Sequence, residues 1–390
     1  MSLSLGVAGL GLRRSLAVEA HRPDRDVLVT DVCDPDTTVF DWAREAFGAS
    51  VRTHSSFDGL LSSSVDAVLL LTPDHTHIHL GLQALAAGKP VFMEKPLAIT
   101  TADCDRLLNA ARTYGTRLYV GHNMRHMPVV RTMRDLVLDG AVGEVEAVWC
   151  RHFVGHGGDF YFKDWHAERA NTTGLLLQKG SHDIDVVHWL AGASTERVTA
   201  MGKLSVYDRV ESRQAAPGSK APDWFSPETH WPPLAQKELH PVIDVEDLSM
   251  VLMRLRNGVQ ASYQQCHYTP DYWRNYTVIG TEGRIENFGN GPGGHVKVWN
   301  AGRRGWDPEG DLTVAIPEAE GGHGGADAAL IDEFLRFVVE GGKTDTSPVA
   351  ARDAVAAGVA ATESIRNGSE PVDVAPVPEE LDTYFAAGQD

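Results

Sequence analysis

The sequence contains few cysteines and lacks any long uninterrupted run of apolar residues. Its four cysteines are widely spaced along the chain: Cys33, Cys104, Cys150 and Cys266. This spacing predicts reduced thiols rather than a disulfide framework, and it favours a cytoplasmic protein. A helix that crosses a membrane needs about 20 consecutive apolar residues. No stretch of the sequence reaches that length, so no membrane partner is expected.

Basic residues are also scarce, with 35 lysines and arginines against 53 aspartates and glutamates. The resulting formal net charge of −18 at pH 7 repels phosphate groups and excludes nucleic acid as an expected partner. The first residues lack the basic segment of a signal peptide, which predicts that none is present. At 390 residues with 43% hydrophobic content, the chain is long enough for two globular domains.

What the sequence does contain is a series of short apolar strands separated by helices. Leu3–Ala8 and Val27–Cys33 are two such strands, and between them lie the motif Gly9-Leu10-Gly11 and a helix predicted over 12–20. A strand, a glycine turn, a helix and a second strand form the unit that binds dinucleotides.

Several residues of this unit suit a dinucleotide. Gly9 permits the sharp turn, and Gly11 lets the backbone approach a pyrophosphate. Leu12 begins the helix whose free amides would face that anion. Asp34 follows the second strand, where a carboxylate can accept hydrogen bonds from ribose hydroxyls. Arg14 occupies the third glycine position of the fingerprint, so an α/β unit that binds nothing is the alternative.

Strands over 65–71, 91–93 and 118–120 continue the alternation and predict a doubly wound parallel sheet within residues 1–123. The strand over 91–93 runs directly into Glu94-Lys95-Pro96. Because ligands bind beyond the carboxyl ends of such strands, Lys95 is expected at the mouth of a crevice. The alternative is a solvated lysine in a surface turn.

Three histidines near the next helix could suggest a metal site: His75, His77 and His79. Metal ligands on a helix are usually four residues apart, and side chains two residues apart at a helix start do not converge. The sequence therefore predicts no metal site here.

Beyond residue 123 the pattern changes, and a second, α+β domain is predicted over 124–390. Strand patterns occur over 144–153, 250–255, 259–267, 276–279 and 284–288, and the last four are predicted to be consecutive antiparallel strands. A helix is predicted over 174–190 and a long functional loop over 209–242. Two further helices, over 326–340 and 348–367, are able to pack back on the first domain. Asp327 is expected to be a carboxylate at the start of the first of these two helices.

The most specific run in the second domain is Gln178-Lys179-Gly180-Ser181-His182-Asp183-Ile184-Asp185. With this run, nearly the whole sequence resembles the Gfo/Idh/MocA oxidoreductase family. The other matching positions follow the family's order and spacing: Gly9 and Gly11, Asp34, Thr72-Pro73 with His77, Glu94-Lys95-Pro96, Asp244-Val245-Glu246-Asp247 and Gly280-Thr281-Glu282-Gly283. The resemblance implies a Rossmann domain, then a domain with an open, mostly antiparallel sheet, and an active site between them.

The resemblance also implies that Lys95 and His182 flank the nicotinamide, with Asp185 as a third catalytic residue. An imidazole suits the role of base near neutral pH, and an ammonium group can stabilise the developing negative charge on an oxygen. Substrate contacts are expected from Lys95, Gln178, Lys179 and His182. Cofactor contacts are expected from Gly9, Gly11, Leu12, Asp34, Thr72, Pro73, His77, Glu94 and Lys95.

One position departs from the family pattern. Many members have an aspartate four residues before the histidine, where this sequence has Gln178. A neutral amide can orient a sugar hydroxyl, but it cannot act as a base or offset a cation.

These implications predict an NAD-dependent oxidoreductase that transfers hydride between nicotinamide and a secondary hydroxyl of a sugar, inositol or related polyol. NAD is favoured over NADP because Asp34 and Asp36 would repel a 2′-phosphate, although Arg13-Arg14 could attract one. Two alternatives stay open: an NAD-dependent glycosidase that uses transient oxidation and elimination, and a non-catalytic cofactor-sensing binding protein. A homodimer or homotetramer is expected, because an open sheet face is usually buried against a symmetry mate.

Overall fold

The computed structural model describes residues 2–215, 230–319 and 321–389. The chain forms two compact units. The first comprises Met1–Asn123, Gly321–Arg352 and Val377–Asp390, and the second comprises Met124–Glu320 and Asp353–Pro376. Three separate stretches of sequence therefore build the first unit, and two build the second.

The described strands are β1 (Leu3–Ala8), β2 (Val27–Cys33), β3 (Arg52–His54), β4 (Ala67–Leu70), β5 (Val91–Met93), β6 (Leu118–Val120), β7 (Val145–Phe153), β8 (Thr195–Lys203), β9 (Leu248–Leu255), β10 (Gln260–Cys266), β11 (Trp273–Gly280), β12 (Arg284–Phe288), β13 (His295–Trp299), β14 (Leu312–Ala315) and β15 (Val372–Asp373). The α-helices are α1 (Ser15–Ala20), α2 (Phe40–Phe47), α3 (Phe57–Leu61), α4 (His77–Ala86), α5 (Thr101–Tyr114), α6 (Pro128–Leu138), α7 (Gly157–Tyr161), α8 (Arg169–Thr172), α9 (Leu175–Gln178), α10 (Gly180–Ala191), α11 (Ala326–Glu340), α12 (Pro348–Arg366) and α13 (Glu379–Ala386). None of the helices in the described part of the chain is long and apolar enough to cross a membrane.

The first unit contains a six-stranded parallel sheet in the order β3-β2-β1-β4-β5-β6. Every residue of β4, β5 and β6 is buried, as expected for parallel strands covered by helices on both faces. The predicted doubly wound sheet is confirmed. Its strand order reverses between β1 and β4, and such a switch point is where open α/β sheets bind ligands.

Helix α11 packs its aromatic side chains against the end of this sheet. The ring of Phe334 lies 5.3 Å from that of Phe92 on β5, and Phe337 lies 6.2 Å from Tyr119 on β6. The Tyr119 hydroxyl also donates a 2.7 Å hydrogen bond to Glu333. Residues more than 200 positions later in the sequence therefore complete the core of the first unit.

Helix α1 begins later than the sequence predicts. Residues 12–14 form a turn in which the amide of Arg14 donates to the carbonyl of Gly11, and the helix starts only at Ser15. The glycine loop is therefore one helical turn longer than expected.

The second unit contains a nine-stranded sheet in the order β14-β13-β12-β11-β7-β10-β9-β8-β15. It is mostly antiparallel, as predicted, with hairpins at Gly258 and Gly283. The prediction of consecutive antiparallel strands from β9 to β12 is wrong at one place. Strand β7 lies between β10 and β11, and it pairs in parallel with β10 and antiparallel with β11. Both neighbours of β7 come more than 100 residues after it, so no local pattern indicated the insertion.

The predicted helix over 174–190 is interrupted. It consists of α9 and α10, which are separated at Lys179. Gly180 begins α10 where a Cβ would come within 3.0 Å of the Tyr263 ring. The close approach of this helix to the sheet depends on that glycine.

The loop predicted over 209–242 lies partly outside the described residues, because 216–229 are not described. Its described parts contribute Val210 and Leu239 to a separate apolar cluster with Phe162, Leu175, Tyr207 and Val245. The two ends of this loop are thus fixed by packing against α9 and the residues around it.

Candidate active site

The glycine loop joins the ends of three strands of the first unit. Gly9 adopts φ 90°, and a Cβ there would lie 2.6 Å from the carbonyl oxygen of Leu71. Its amide donates to the carbonyl of Cys33 at 2.9 Å. Only glycine tolerates this conformation and this contact, so the sharp turn expected at Gly9 is present. Gly11 is half-buried and Leu12 is exposed, so the backbone after the turn remains accessible.

Asp34 is tied directly to this loop. One carboxylate oxygen accepts the amide of Leu10 at 2.8 Å, and the other accepts the amide of Asp36 at 2.9 Å. A carboxylate oxygen can accept two hydrogen bonds, so each retains capacity for a ribose hydroxyl. A nicotinamide dinucleotide fits these residues, because the tight glycine turn and the strand-end carboxylate stand together as such a cofactor requires.

His77 supports two turns of the first unit. Its ring is completely buried, with Nδ1 2.7 Å from the carbonyl oxygen of Pro96 and Nε2 3.0 Å from that of Thr72. Burial lowers the pKa of His77, and a neutral imidazole donates to one of these carbonyls at a time. The prediction that His77 contacts a cofactor therefore needs correction, since both ring nitrogens face the protein backbone. His77 connects the Thr72-Pro73 turn to the turn that carries Lys95.

Glu94 points into the protein and holds the same turn from another side. Its carboxylate accepts the backbone amide of Lys95 through Oε2 and the Nε–H of Arg13 through Oε1. Glu94 is buried, whereas Lys95 is half-buried. The carboxyl end of β5 thus presents Lys95 from a turn whose backbone is fixed.

Arg13 and Asp327 form an ion pair that the sequence did not predict. Two guanidinium nitrogens of Arg13 each lie 3.2 Å from an oxygen of Asp327. Asp327 also accepts the side-chain amide of Asn123 at 2.7 Å and lies 3.1 Å from Nδ1 of His323. Asp327, which the sequence predicts to be a carboxylate at the start of a helix, is therefore a buried ion-pair partner of Arg13. A separation of 314 positions left no local signal for this pair.

In the second unit, three of the four predicted substrate residues lie around the junction of α9 and α10. Gln178 and His182 are both buried, and Lys179 is half-buried, with its ammonium nitrogen 5.9 Å from the centre of the Tyr161 ring. The structure thus places an amide, a cation and an imidazole within two turns of chain.

Asp185 has a partner that the sequence did not predict. Its two carboxylate oxygens accept hydrogen bonds of 2.6 and 2.7 Å from Arg125, and both side chains are buried. Such a bidentate pair anchors α10 to the segment that precedes α6. The role of Asp185 toward His182 stays a prediction.

A buried polar network is centred on Asp183, the residue that follows His182 in the sequence. Asp183 accepts hydroxyl hydrogen bonds from Tyr276 at 2.5 Å and Tyr263 at 3.1 Å, and it forms an ion pair with Arg274 at 2.9 Å. Burial raises the pKa of Asp183, but Arg274 and His152 outweigh burial and hold that pKa well below its usual range. The network keeps a charged carboxylate inside the unit.

His152 belongs to the same network. Its Nδ1 lies 3.0 Å from Asp183, and burial together with the charge of Arg274 lowers the pKa of His152 to about 3. His152 is therefore neutral at pH 7. With no exposed surface, His152 belongs to the core of the second unit.

No group of three or more histidine, cysteine, aspartate or glutamate residues within 2–215, 230–319 and 321–389 is arranged to hold a metal ion. His77, at the centre of the three histidines noted in the sequence, uses its ring for backbone contacts.

Comparison with known families matches both units. Residues 3–122 match "Oxidoreductase family, NAD-binding Rossmann fold", and residues 134–374 match "Oxidoreductase family, C-terminal alpha/beta domain". Together these matches cover most of the chain. The two matched descriptions are those of an oxidoreductase family with an NAD-binding Rossmann domain, in agreement with the parallel sheet and the glycine loop. The chain belongs to the Gfo/Idh/MocA oxidoreductase family, and the resemblance found in the sequence is confirmed.

The individual relatives named next share between 20% and 33% sequence identity with this chain. YteT of Bacillus subtilis, named as an oxidoreductase, is 25% identical over 349 residues, which cover 79% of this chain and 82% of YteT. Inositol 2-dehydrogenase of Ralstonia nicotianae is 33% identical over 199 residues, or 49% of this chain and 55% of that protein. The structure of a levoglucosan dehydrogenase in complex with NADH matches with a TM-score of 0.77 at 20% identity, covering 97% of this chain and 100% of that one. At this identity the last likeness shows the fold alone.

Proposed function

We propose that the protein transfers hydride between NAD and a secondary hydroxyl of a sugar, inositol or related polyol. The observation that carries the proposal is the carboxylate of Asp34 bound to the amide of Leu10 in the glycine loop, 2.8 Å apart. This pair presents an acceptor for ribose hydroxyls beside a turn built for a pyrophosphate. The names of the relatives, which include an inositol dehydrogenase and a levoglucosan dehydrogenase, support the substrate class.

The charges near Asp34 favour NAD over NADP. Asp34 and Asp36 place negative charge where NADP carries its 2′-phosphate. The two arginines that could attract that phosphate have other contacts. Arg13 pairs with Glu94 and Asp327, and the guanidinium of Arg14 lies 4.2 Å from the centre of the Trp42 ring.

Lys95 and His182 divide the work on the substrate hydroxyl in this proposal. Lys95 donates a hydrogen bond to the oxygen and stabilises negative charge as the proton leaves. His182 accepts that proton, because imidazole is the side chain suited to proton transfer near neutral pH. The bound nicotinamide supplies the hydride acceptor. Gln178 and Lys179 orient neighbouring hydroxyls by hydrogen bonding.

The deciding experiment is a substrate panel with two simultaneous readouts. Purified protein and NAD are mixed with polyols, inositols, sugars and aryl glycosides while NADH absorbance and aglycone release are followed. Net NADH with a polyol or sugar supports the proposal. Aglycone without net NADH would replace it with an NAD-dependent glycosidase. Binding of NADH without turnover of any compound would favour a cofactor-sensing binding protein.

His182→Asn is the matched variant for this panel. It keeps a polar side chain of similar size at the start of α10 but removes the base. Loss of turnover with unchanged NADH affinity is expected, and an active variant would remove His182 from the reaction.

We also propose that the second unit mediates homo-oligomerisation through the outer face of its sheet. Strand β9 alternates buried Val251 and Met253 with exposed Met250 and Leu252, and Met201 on β8 is exposed beside them. Exposed fractions of 66%, 51% and 66% for Met201, Met250 and Leu252 mark an apolar patch of the kind that a second copy buries. Sedimentation should give a dimer or tetramer, and Leu252→Asp should shift it toward the monomer. A monomeric wild-type protein at micromolar concentration would refute this.

A further inference from the structure

The turn that carries Lys95 is held by side chains rather than by the sheet. Strand β5 ends at Met93, so Lys95 lies beyond the last paired residue. Its amide donates to Oε2 of Glu94, and the next residue, Pro96, offers its carbonyl to His77. The direction in which Lys95 leaves the turn therefore depends on where Glu94 is fixed.

Glu94 is fixed by a chain of charges. Its buried carboxylate needs a counter-charge, and the Nε–H of Arg13 supplies it. The other two nitrogens of the same planar guanidinium each bind one oxygen of Asp327. Because the guanidinium is rigid, its contacts with the two carboxylates are geometrically coupled. One side chain thus links the glycine loop, the Lys95 turn and the start of α11.

Asp327 is itself rigidly placed. Asn123 donates to one of its oxygens and His323 lies against the other. A Cβ on Gly322 would stand 2.4 Å from Oδ2 of Asp327, so the glycine-rich turn must lack a side chain there to wrap the carboxylate. Burial raises the pKa of Asp327, but His323 and Arg13 outweigh it and hold that pKa well below its usual range. Asp327 stays charged throughout the neutral range.

We propose that Asp327 and Arg13 are positioning residues, which act through Glu94 to set the Lys95 turn relative to the glycine loop. The inference rests on the proposed role of Lys95 in hydride transfer. Neither residue needs to touch the substrate. Their effect is on turnover, because a small displacement of a charge-stabilising group weakens catalysis more than it weakens binding.

The test is a double-mutant cycle with Asp327→Asn and Lys95→Met. Asp327→Asn keeps the shape of the side chain but removes the charge that holds Arg13. We expect about a tenfold lower kcat in the otherwise wild-type enzyme, a KM within about threefold, and less than a twofold further loss on top of Lys95→Met. Arg13→Lys is the second variant, because an ammonium cannot bind both carboxylates in the same geometry.

A readout without turnover accompanies the cycle. Hydrogen exchange of the peptide that contains Glu94 and Lys95 should become faster in the cofactor-free Asp327→Asn protein, because the amide of Lys95 loses its fixed acceptor. Asp105→Asn is the matched control. Asp105 pairs with Arg352 at 2.8 Å in the same unit. Exchange at the Lys95 peptide should be unchanged in this control.

The two proposals fail in different ways. Normal turnover in Lys95→Met would show that Lys95 takes no part in the reaction. The hydrogen-exchange result would then test by itself whether Asp327 and Arg13 hold the Lys95 turn. Full activity and normal exchange in both Asp327→Asn and Arg13→Lys, with Lys95→Met impaired, would overturn the positioning role of Asp327 and Arg13. The proposed role of Lys95 would stand. Equal losses from Asp327→Asn in the wild-type and Lys95→Met backgrounds would also overturn that positioning role, because the residue would then act independently of Lys95. Should Asp327→Asn fail to fold, Arg13→Lys gives the same readings.

Discussion

Both units place an arginine–carboxylate network beside a predicted catalytic residue, but they build it from different elements. In the first unit, Arg13 joins Glu94 and Asp327, all three in loops or at a helix start, and the arginine side chain is 27% exposed. In the second, Arg274 and Asp183 are fully enclosed by strands and α10. A network in loops can position groups without carrying the stability of the fold. A network inside a sheet cannot be altered without disturbing the core.

The largest effect is therefore expected from the second unit. Arg274→Met would leave Asp183 charged and buried without a counter-ion, which costs about 3–5 kcal/mol of unfolding free energy. Urea denaturation should show it. Arg197→Met is the control, since Arg197 pairs with Asp373 at the surface and its loss should leave the midpoint nearly unchanged. Equal stability of the two variants would contradict the comparison.

Lys95→Met should show the opposite behaviour in the first unit. We expect at least a hundredfold loss of turnover, about 2.7 kcal/mol of transition-state stabilisation, with little change in stability or cofactor affinity. Tryptophan fluorescence quenching measures the affinity. Lys343→Met, at an exposed lysine of the same unit, should behave as wild type. Near-normal turnover of Lys95→Met would show that this lysine takes no part in the chemistry.

His152 makes the core network of the second unit sensitive to pH. Its folded-state pKa of about 3 lies below the ordinary value of 6.5, so the unfolded chain binds more protons between these values. The contribution of neutral His152 to stability is fully present above pH 6.5 and is lost as the pH falls toward 3. The free energy of unfolding should fall by about 2 kcal/mol between pH 6.5 and 5. Urea midpoints should fall less steeply with pH in His152→Gln. Parallel curves for the two proteins would argue against this origin.

The smallest effect concerns cofactor choice in the first unit. Asp34→Ala should narrow the preference for NAD over NADP by about tenfold, the scale of one hydrogen bond to a charged group. Titration of both cofactors measures it. Asp24→Asn is the control, because its carboxylate is exposed in the turn before β2, away from the proposed ribose site after that strand. Tighter binding of NADP to the wild type would reverse the cofactor assignment.

The parts that sequence predicted well are those with a local pattern. Strands β5 and β6 are continuous apolar runs, and β1 and β2 are largely apolar. Gly9 and Asp34 follow the spacing of a dinucleotide-binding unit. Each of these signals lies within a short stretch of chain, so the local sequence is enough to predict it. The same holds for Gly180, which sits inside a recognisable motif.

The parts that sequence could not predict depend on long-range contacts. Arg13 pairs with Glu94, which is 81 positions later in the sequence, and with Asp327, which is 314 positions later. From the sequence alone, either Arg13 or Arg14 could have faced solvent. His77 is buried against the turn that contains Pro96, whose carbonyl oxygen lies 2.7 Å from its ring. The pattern of residues along α4 does not indicate this contact. Insertion of β7 between β10 and β11 likewise depends on the assembled sheet.

The division of the first unit into three stretches has a consequence for synthesis. Residues 1–123 leave the ribosome long before Phe334 and Phe337, which cover Phe92 and Tyr119. Gln389, 271 positions after Leu118, forms two side-chain hydrogen bonds with the backbone of that residue. The nascent Rossmann sheet must therefore keep an apolar surface exposed until α11 and the segment around Gln389 have been synthesised. Ribosome-bound chains that stop before residue 321 are expected to recruit chaperones, whereas released full-length chains are expected to shed them.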